Sequence, residues 1–431
     1  MRIMIVTDQY PPMVGGVPTV TQGLAVDFAN RGNHVWVVAP SSGQRDVHRL
    51  EQKVHVYRFS SFEWPTYEDL RIPFLPILPF RRLLKKIDPD IIHIHSPIVL
   101  GNIAQIVAGS LRKPVIVTNH YLPINLSRSL SADPLFGKPF MTVTYSYLVH
   151  FCNRCEYVTA PTMTALNLLY EHGLRAPAQA ISNGIDLKKF SSGDRDKQLL
   201  QRFHLPLDCP LILSVNRLSQ EKRIDVLIDA VANMKQVAHV AIASTGPAEA
   251  ELRARVEELN LMDKVSFLGF IPDKDLAPLY RLATIFAIPS EAELQSLATM
   301  EAMACGLPVV AADAYALPEL VHHDMNGFLF QRGNSEEMAQ YLDTLITDAD
   351  LRKRMGSKSL EIIARHDRTQ VLDQWEALYH RLSNEFVEAK ERKLRRQRER
   401  KKAGYIRHRK TRPRIARTGE VAIDQRFVTE E

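Results

Sequence analysis

The run Pro289-Ser290-Glu291-Ala292-Glu293-Leu294-Gln295-Ser296-Leu297-Ala298-Thr299-Met300-Glu301-Ala302-Met303-Ala304-Cys305-Gly306-Leu307-Pro308-Val309-Val310 sets two carboxylates, Glu293 and Glu301, eight positions apart. It reads as a strand ending at Pro289, a loop carrying Glu293, and a helix that begins near Ser296 and stops at Gly306. One acid then lies in the loop and the other inside the helix, so the pair can grip two ends of one ligand. Between them a helix N-terminus offers backbone N–H groups and the positive end of a dipole, which suits a phosphate. By type alone, Glu291, Glu293 and Glu301 could equally be solvated charges. The strand–loop–helix setting, closed by Gly-Leu-Pro and another strand, argues for a site. A second cluster, Asn216-Arg217-Leu218-Ser219-Gln220-Glu221-Lys222-Arg223, follows a different apolar run. A basic surface turn would look the same, but at the carboxyl end of a strand Arg217 and Lys222 could neutralise a diphosphate in the same cleft.

The elements that must position these groups alternate between strand and helix. Arg2–Thr7, His34–Ala39, Ile91–His95, Val115–Asn119, Tyr157–Pro161 and Gln179–Ser182 are short apolar runs of the kind buried on both faces of a parallel sheet. Helical patterns such as Val20–Arg31, stopped by Gly32, lie between them. Turn residues and prolines interrupt the rhythm from Gly184 to about Asp208. It restarts with Leu211–Val215, Val240–Ser244, Val265–Gly269, Ile285–Pro289 and Pro308–Ala312. The expected class is α/β: two doubly wound domains, residues 1–190 and 209–365, joined by a linker at 191–208, with their strand ends facing a cleft. A helix at 366–385, carrying Val371, Leu372, Trp375, Leu378, Tyr379 and Leu382 at helical spacing, could pack back on the first domain. A basic extension, 386–431, follows it.

Composition agrees with a soluble globular chain of more than one domain. It has 431 residues, 45% hydrophobic and 24% charged. Four cysteines are too few for a disulfide scaffold and point to a reducing, cytosolic setting. No run approaches the roughly 18–20 uncharged apolar residues of a spanning helix, and Met1–Val6 leads straight into a strand pattern rather than a signal peptide. The net charge of +6 is uneven: residues 386–431 hold 16 Lys and Arg against seven Asp and Glu, while the first 385 hold 39 against 42. The globular body is therefore slightly acidic and the basic excess belongs to the tail.

The chain resembles family 4 of the retaining glycosyltransferases, which have the two-domain GT-B fold. The resemblance covers roughly residues 1–385. It rests on Glu293-x7-Glu301 with the Ala-Met-Ala-Cys-Gly-Leu-Pro-Val-Val that follows, on Asn216-Arg217-Leu218 with Lys222, on Gly246-Pro247, on Ser182-Asn183-Gly184-Ile185-Asp186, and on Tyr10-Pro11-Pro12-Met13-Val14-Gly15-Gly16-Val17. It implies a nucleotide-sugar donor such as UDP-glucose. Arg217 and Lys222 would bind the diphosphate, Glu301 the ribose, and Glu293 the sugar hydroxyls. Backbone near Leu297 and Ala298 would meet the phosphates, and Gly15-Gly16 would close over the donor. His120, after the strand Val115–Asn119, would stand near the reacting face of the sugar. No Asp-x-Asp pair is placed for a metal, so no metal or other cofactor is expected. Cations and the helix N-terminus would stabilise the departing diphosphate, and that phosphate would accept the acceptor's proton. Cys152-x2-Cys155 lacks partner ligands and reads as structural. His93 and His95 share one face of a strand end and are expected at the cleft. Asp8 could touch an acceptor or make a structural hydrogen bond.

The acceptor should bind mainly the first domain. There Ile72-Pro73-Phe74-Leu75-Pro76-Ile77-Leu78-Pro79-Phe80 runs directly into Arg81-Arg82-Leu83-Leu84-Lys85-Lys86. This suits insertion at an anionic membrane surface, although a loop and helix packed on the sheet would also account for it. Lys390–Arg417 holds 15 Lys and Arg against Glu391 and Glu399. At about 1 kcal/mol per basic residue such a tail, disordered or in part helical, could anchor the enzyme to the inner face of the cell membrane. Its few aromatics give no stacking platform for nucleic acid, so no specific nucleic-acid partner is expected. Glu291-Ala292-Glu293-Leu294-Gln295-Ser296 and Thr162-Met163-Thr164-Ala165 resemble the branch of the family acting on diacylglycerol and related lipids. The alternatives are a soluble or polyprenyl-linked saccharide acceptor, an epimerase of the same fold, and a membrane-binding protein without transferase activity. A phosphorylase would need a pyridoxal-binding lysine, for which no motif is evident.

Overall fold

The computed structural model describes residues 1–64, 71–123, 134–206 and 208–410. Ten strands come first: β1 (Arg2–Val6), β2 (His34–Pro40), β3 (Val47–Glu51), β4 (Val54–Phe59), β5 (Ser61–Glu63), β6 (Arg71–Pro73), β7 (Ile91–Ile94), β8 (Val115–Thr118), β9 (Tyr157–Ala160) and β10 (Ala178–Ala180). Eight of them form a sheet in the order β10-β9-β8-β7-β1-β2-β4-β3, while β5 and β6 make a separate antiparallel ribbon. The apolar runs are buried along nearly their whole length, as sandwiching between two helical layers requires. The β3–β4 hairpin has no counterpart in the expected strands. Its turn is Gln52-Lys53, with φ of 49° and 68°. That is the backbone of a tight hairpin turn, but without the Asn-Gly or Asp-Gly that announces one.

The second sheet holds β11 (Leu211–Val215), β12 (His239–Ala243), β13 (Val265–Gly269), β14 (Ile285–Ile288), β15 (Val309–Ala312) and β16 (Gly327–Phe330). All are parallel, in the order β13-β12-β11-β14-β15-β16. The order reverses between β11 and β14, and ligands of such sheets bind in the crevice at the strand ends there. The loops that leave these two strands carry Arg217 and Glu293. The segment expected as linker holds a helix, Lys197–Arg202, and its Leu199 and Leu200, with Leu205, are buried in the second core. Burying these three leucines draws the segment onto the second domain instead of leaving it an exposed linker.

The chain crosses between the domains twice. The outward crossing follows Ile181. The return follows the helix Ala349–Ile363, where Ile185 N–H donates to His366 O and Arg368 N–H to Ile185 O, at 2.8 and 2.9 Å. The helix Arg368–Lys410 then begins. Its first turns, to His380, lie on the helix Gly16–Asn30 of the first domain. Arg31 reaches Asp373 and Glu376 at 2.5 and 2.8 Å, Arg368 pairs with Asp27, and Tyr379 stacks on Phe28 with ring centroids 5.0 Å apart. The stretch from Arg381 is a compact unit of its own. Within it the helix runs through Lys410, with Lys390, Arg392, Lys393, Arg395, Arg396 and Arg398 exposed. The rest of the basic extension, 411–431, lies outside the described residues. No helix among the described residues is long and apolar enough to cross a membrane.

Candidate active site

Gly246 illustrates how the second rim of the cleft is held. A Cβ on it would stand 2.3 Å from Leu218 O, so only glycine fits. Leu218 N–H donates to Thr245 O at 3.1 Å and Leu218 O accepts from Ala248 N–H at 2.9 Å, which pins the loop bearing Arg217 to the loop after β12. A single 3-10 turn, Gln220–Lys222, ends at Arg223 in the left-handed region. Arg223 bridges Glu291 at 2.5 Å and Asp225 at 2.9 Å, and Glu291 N–H donates to Glu221 O at 3.0 Å. These bonds stitch the loops after β11 and β14 together. Lys222 Nζ is brought to 2.7 Å from Glu293 Oε1, with 16% and 11% of the two side chains exposed. The family resemblance implied the diphosphate for Lys222 and the sugar hydroxyls for Glu293; in the fold the two side chains also meet each other. With so little water around them, removing either strands the other's charge.

The helix Leu297–Ala304 is capped by Ser296, whose Oγ accepts from Thr299 N–H at 3.2 Å. The cap satisfies the third N–H of the turn, and Leu297 and Ala298, before it, line the cleft. Gly16 faces them from the first domain: a Cβ there would lie 3.9 Å from Leu297 Cδ1. Two helix N-termini therefore look into one space, one on each side. Glu301, a turn further in, accepts from Tyr280 OH at 2.8 Å, and burial pushes its carboxyl up to about 7. Nothing in the sequence marked Tyr280, which lies on the helix Asp273–Leu282 and was indistinguishable from core.

The first rim is built differently. His120 Nε2 lies 2.9 Å from His95 Nδ1, with the rings stacked, and His95 Nε2 lies 3.2 Å from His93 Nδ1. His93, expected at the cleft, is instead fully buried beneath it. The last helix covers it: its ring packs against Trp375 with centroids 4.8 Å apart and lies between Tyr379 OH and Thr118 Oγ1 at 2.5 and 2.6 Å. Burial holds all three rings neutral: His120 is pulled down to about 4, and His93 and His95 well below the ordinary imidazole range. Asp8 caps the helix Val99–Leu111, accepting from Leu100 N–H and Ser96 Oγ at 2.9 Å each, and burial lifts it to about 6. That is the structural alternative for this residue. Cys152 and Cys155 are buried in the first core with thiols pushed upward by desolvation.

One cavity of about 760 Å³ collects these groups. Gly15, Gly16 and His120 line it from the first domain, and Arg217, Lys222, Gly246, Glu293, Leu297, Ala298 and Glu301 from the second. Arg368, Leu372 and Trp375 of the last helix line it as well. Their apolar spacing signalled only a packed helix. The two motifs resembling the lipid-acting branch do not both face the cavity. Thr162 Oγ1 donates to Leu294 O at 2.7 Å, and Ala165, Leu166, Ala292 and Leu294 bury one another. Together they form a contact between the domains.

Two doubly wound sheets, strand ends opposed across a cavity holding cations, acids and two helix N-termini, define a GT-B enzyme that handles a nucleotide-activated sugar. Residues 14–189 match the family described as Glycosyltransferase Family 4, and residues 196–361 match Glycosyl transferases group 1. The chain belongs to the GT4-type glycosyltransferases, as its family resemblance implied. It is 27% identical to an alpha-monoglucosyldiacylglycerol synthase of Streptococcus pneumoniae over 84% of this chain and 82% of that one. It is 26% identical to a GDP-mannose-dependent alpha-mannosyltransferase of Corynebacterium glutamicum, over 90% and 89%. Among solved structures, sucrose-phosphate synthase of Thermosynechococcus elongatus superposes with a TM-score of 0.73 at 20% identity, covering 89% of this chain and 99% of that one. HepE of Anabaena in complex with UDP gives 0.72 at 24%, covering 88% and 99%. Both bear out the fold.

Proposed function

We propose that this glycosyltransferase moves glucose from UDP-glucose, with retention and without a metal, onto a membrane lipid of the diacylglycerol class. The domain 209–365 would hold the donor and 1–190 the acceptor. Arg217, Lys222 and the N-terminus of the helix Leu297–Ala304 would stabilise the departing diphosphate. Glu301 would hold the ribose, Glu293 the sugar hydroxyls, and His120 would stand by the reacting face, under the loop Gly15-Gly16. Their convergence on one cavity supports this set. The leaving phosphate would take the acceptor's proton, so no separate base is required.

The observation that carries the acceptor is the two-sidedness of the segment 74–87. On the helix Ile77–Ile87, Phe80, Leu83, Leu84 and Ile87 are buried. Phe74, Leu75, Ile77 and Leu78 are 55%, 68%, 48% and 66% exposed. Arg81, Arg82, Lys85 and Lys86 are exposed beside them. Packing on the sheet accounts for the first set and leaves the second facing water. An apolar ridge bordered by cations fits the headgroup boundary of an anionic bilayer. The similarity to a glucosyldiacylglycerol synthase supports the same reading, and the basic helix beyond His380 would add electrostatic hold at the inner face of the cell membrane.

The test is a screen of labelled sugar nucleotides against total membrane lipid in vesicles, run in EDTA. Label from UDP-glucose is expected in a diacylglycerol-based product at full rate. Label recovered only in a water-soluble or polyprenyl-linked saccharide would overturn the lipid acceptor. Turnover abolished by EDTA and restored by a divalent ion would overturn metal independence.

A further inference from the structure

Three imidazoles stand in file between the cleft and the last helix, and two partners of the innermost ring, His93, dictate one direction of hydrogen bonding. At one end is Tyr379. Its hydroxyl is buried, and among the described residues its hydrogen-bond partner is His93 Nδ1, 2.5 Å away. A buried hydroxyl left without an acceptor is costly, so Tyr379 donates and His93 Nδ1 must be bare. On the other side of the His93 ring, Thr159 Oγ1 donates to Val117 O, 3.4 Å away, because a carbonyl can only accept. Thr118 Oγ1, 2.6 Å from Thr159 Oγ1, then donates to it and in turn accepts from His93 Nε2–H at 2.6 Å. Partners on both ring nitrogens thus require the same proton position on His93.

The direction propagates outward. The lone pair of His93 Nδ1 that accepts from Tyr379 also faces His95 Nε2 at 3.2 Å, where a second lone pair would repel it and only an Nε2–H can share it as a longer, second hydrogen bond. His95, held neutral, then has a bare Nδ1, which accepts from His120 Nε2–H at 2.9 Å. His120 lines the cavity, and the ring nitrogen it has left for a ligand is Nδ1, carrying a lone pair. We propose that Tyr379 is a positioning residue: through His93 and His95 it fixes His120 as the Nε2–H tautomer, so that His120 offers the donor sugar an acceptor nitrogen. His120 then takes a hydrogen bond from a sugar hydroxyl and has no proton to give the leaving group. Tyr379 does not line the cavity, so besides the lining side chains Arg368, Leu372 and Trp375 the last helix acts on the site through a chain of hydrogen bonds. The proposal rests on the reading of His120 as a neighbour of the donor sugar.

Long-range proton–nitrogen spectra of the full chain labelled with 15N-histidine test it, with His120 assigned by the signal lost in His120→Gln. The wild type is expected to show His120 as one neutral tautomer, protonated on Nε2. In Tyr379→Phe the His120 signals should move toward a mixture of tautomers. Turnover should fall about fivefold, the weight of one hydrogen bond, with the donor KM within about twofold. Thr118→Val acts on the other ring nitrogen of His93 and should give the same spectral shift. It carries the test alone if Tyr379→Phe does not fold. Wild-type His120 protonated on Nδ1, or an unchanged His120 tautomer in the folded variants, overturns the proposal. Full turnover in His120→Ala overturns the reading of His120 instead, whatever its tautomer.

Discussion

At the ends of β11 and β14 side chains meet as ions, Lys222 with Glu293 at 2.7 Å and Arg223 with Glu291 at 2.5 Å. At the ends of β7 and β8 they meet as uncharged rings, His95 with His120 at 2.9 Å. The two rims face one cavity and share one sheet architecture, yet one presents charge and the other dipoles. Breaking a sugar–phosphate bond explains why both are needed. Negative charge grows on the diphosphate, where fixed cations and helix N-termini are worth most. Positive charge grows on the sugar ring, where another cation would be repulsive. Neutral imidazoles can orient hydroxyls there without opposing the reaction.

Lys222→Ala or Glu293→Gln breaks this contrast most directly. Turnover should fall about 100- to 1,000-fold, the usual weight of one preorganised electrostatic group, with the far-UV spectrum unchanged. Near-normal rates would show that the charged rim is structural only. A smaller effect separates the rims by pH. Glu301 is raised from 4.5 to about 7, so its contribution to stability is complete below 4.5 and is lost as pH rises through 7. His120 is lowered from 6.5 to about 4, so its contribution is complete above 6.5 and is lost as pH falls through 4. Thermal unfolding between pH 4 and 8 should therefore show the melting temperature of Glu301→Gln declining less toward neutral pH than that of the wild type. His120→Gln should decline less toward acid. Equal slopes would remove the asymmetry. The smallest effect on turnover is expected from deleting residues 386–431. Activity on detergent-dispersed lipid should stay within about twofold, while sedimentation with anionic vesicles falls. Unchanged sedimentation would remove the tail from the account of membrane attachment.

The charged rim was the more legible of the two from sequence. Arg217, Lys222, Glu293 and Glu301 sit in loops and a helix start adjacent to strong strand patterns, and local spacing carries most of their geometry. The neutral rim depends on pairings that spacing does not encode. His93 and His95 read as neighbours on one face, but which of them reaches the cavity is set by Tyr379, 286 residues downstream of His93. The partnership of Tyr280 with Glu301 and that of Thr162 with Leu294 are likewise tertiary. The fold was legible wherever runs were apolar. It was hidden where an edge hairpin turned on Gln52-Lys53, and where the strand Gly327–Phe330 opened on a glycine whose Cβ would lie 1.9 Å from Val309 O.

The two interdomain crossings are bonded to each other, Ile185 to His366 and Arg368. The halves are thus joined by one bonded pair of crossings rather than by two independent tethers, so a shift of one half against the other has to carry both together. Trp375, on the turns that follow the second crossing, packs against His93 with ring centroids 4.8 Å apart.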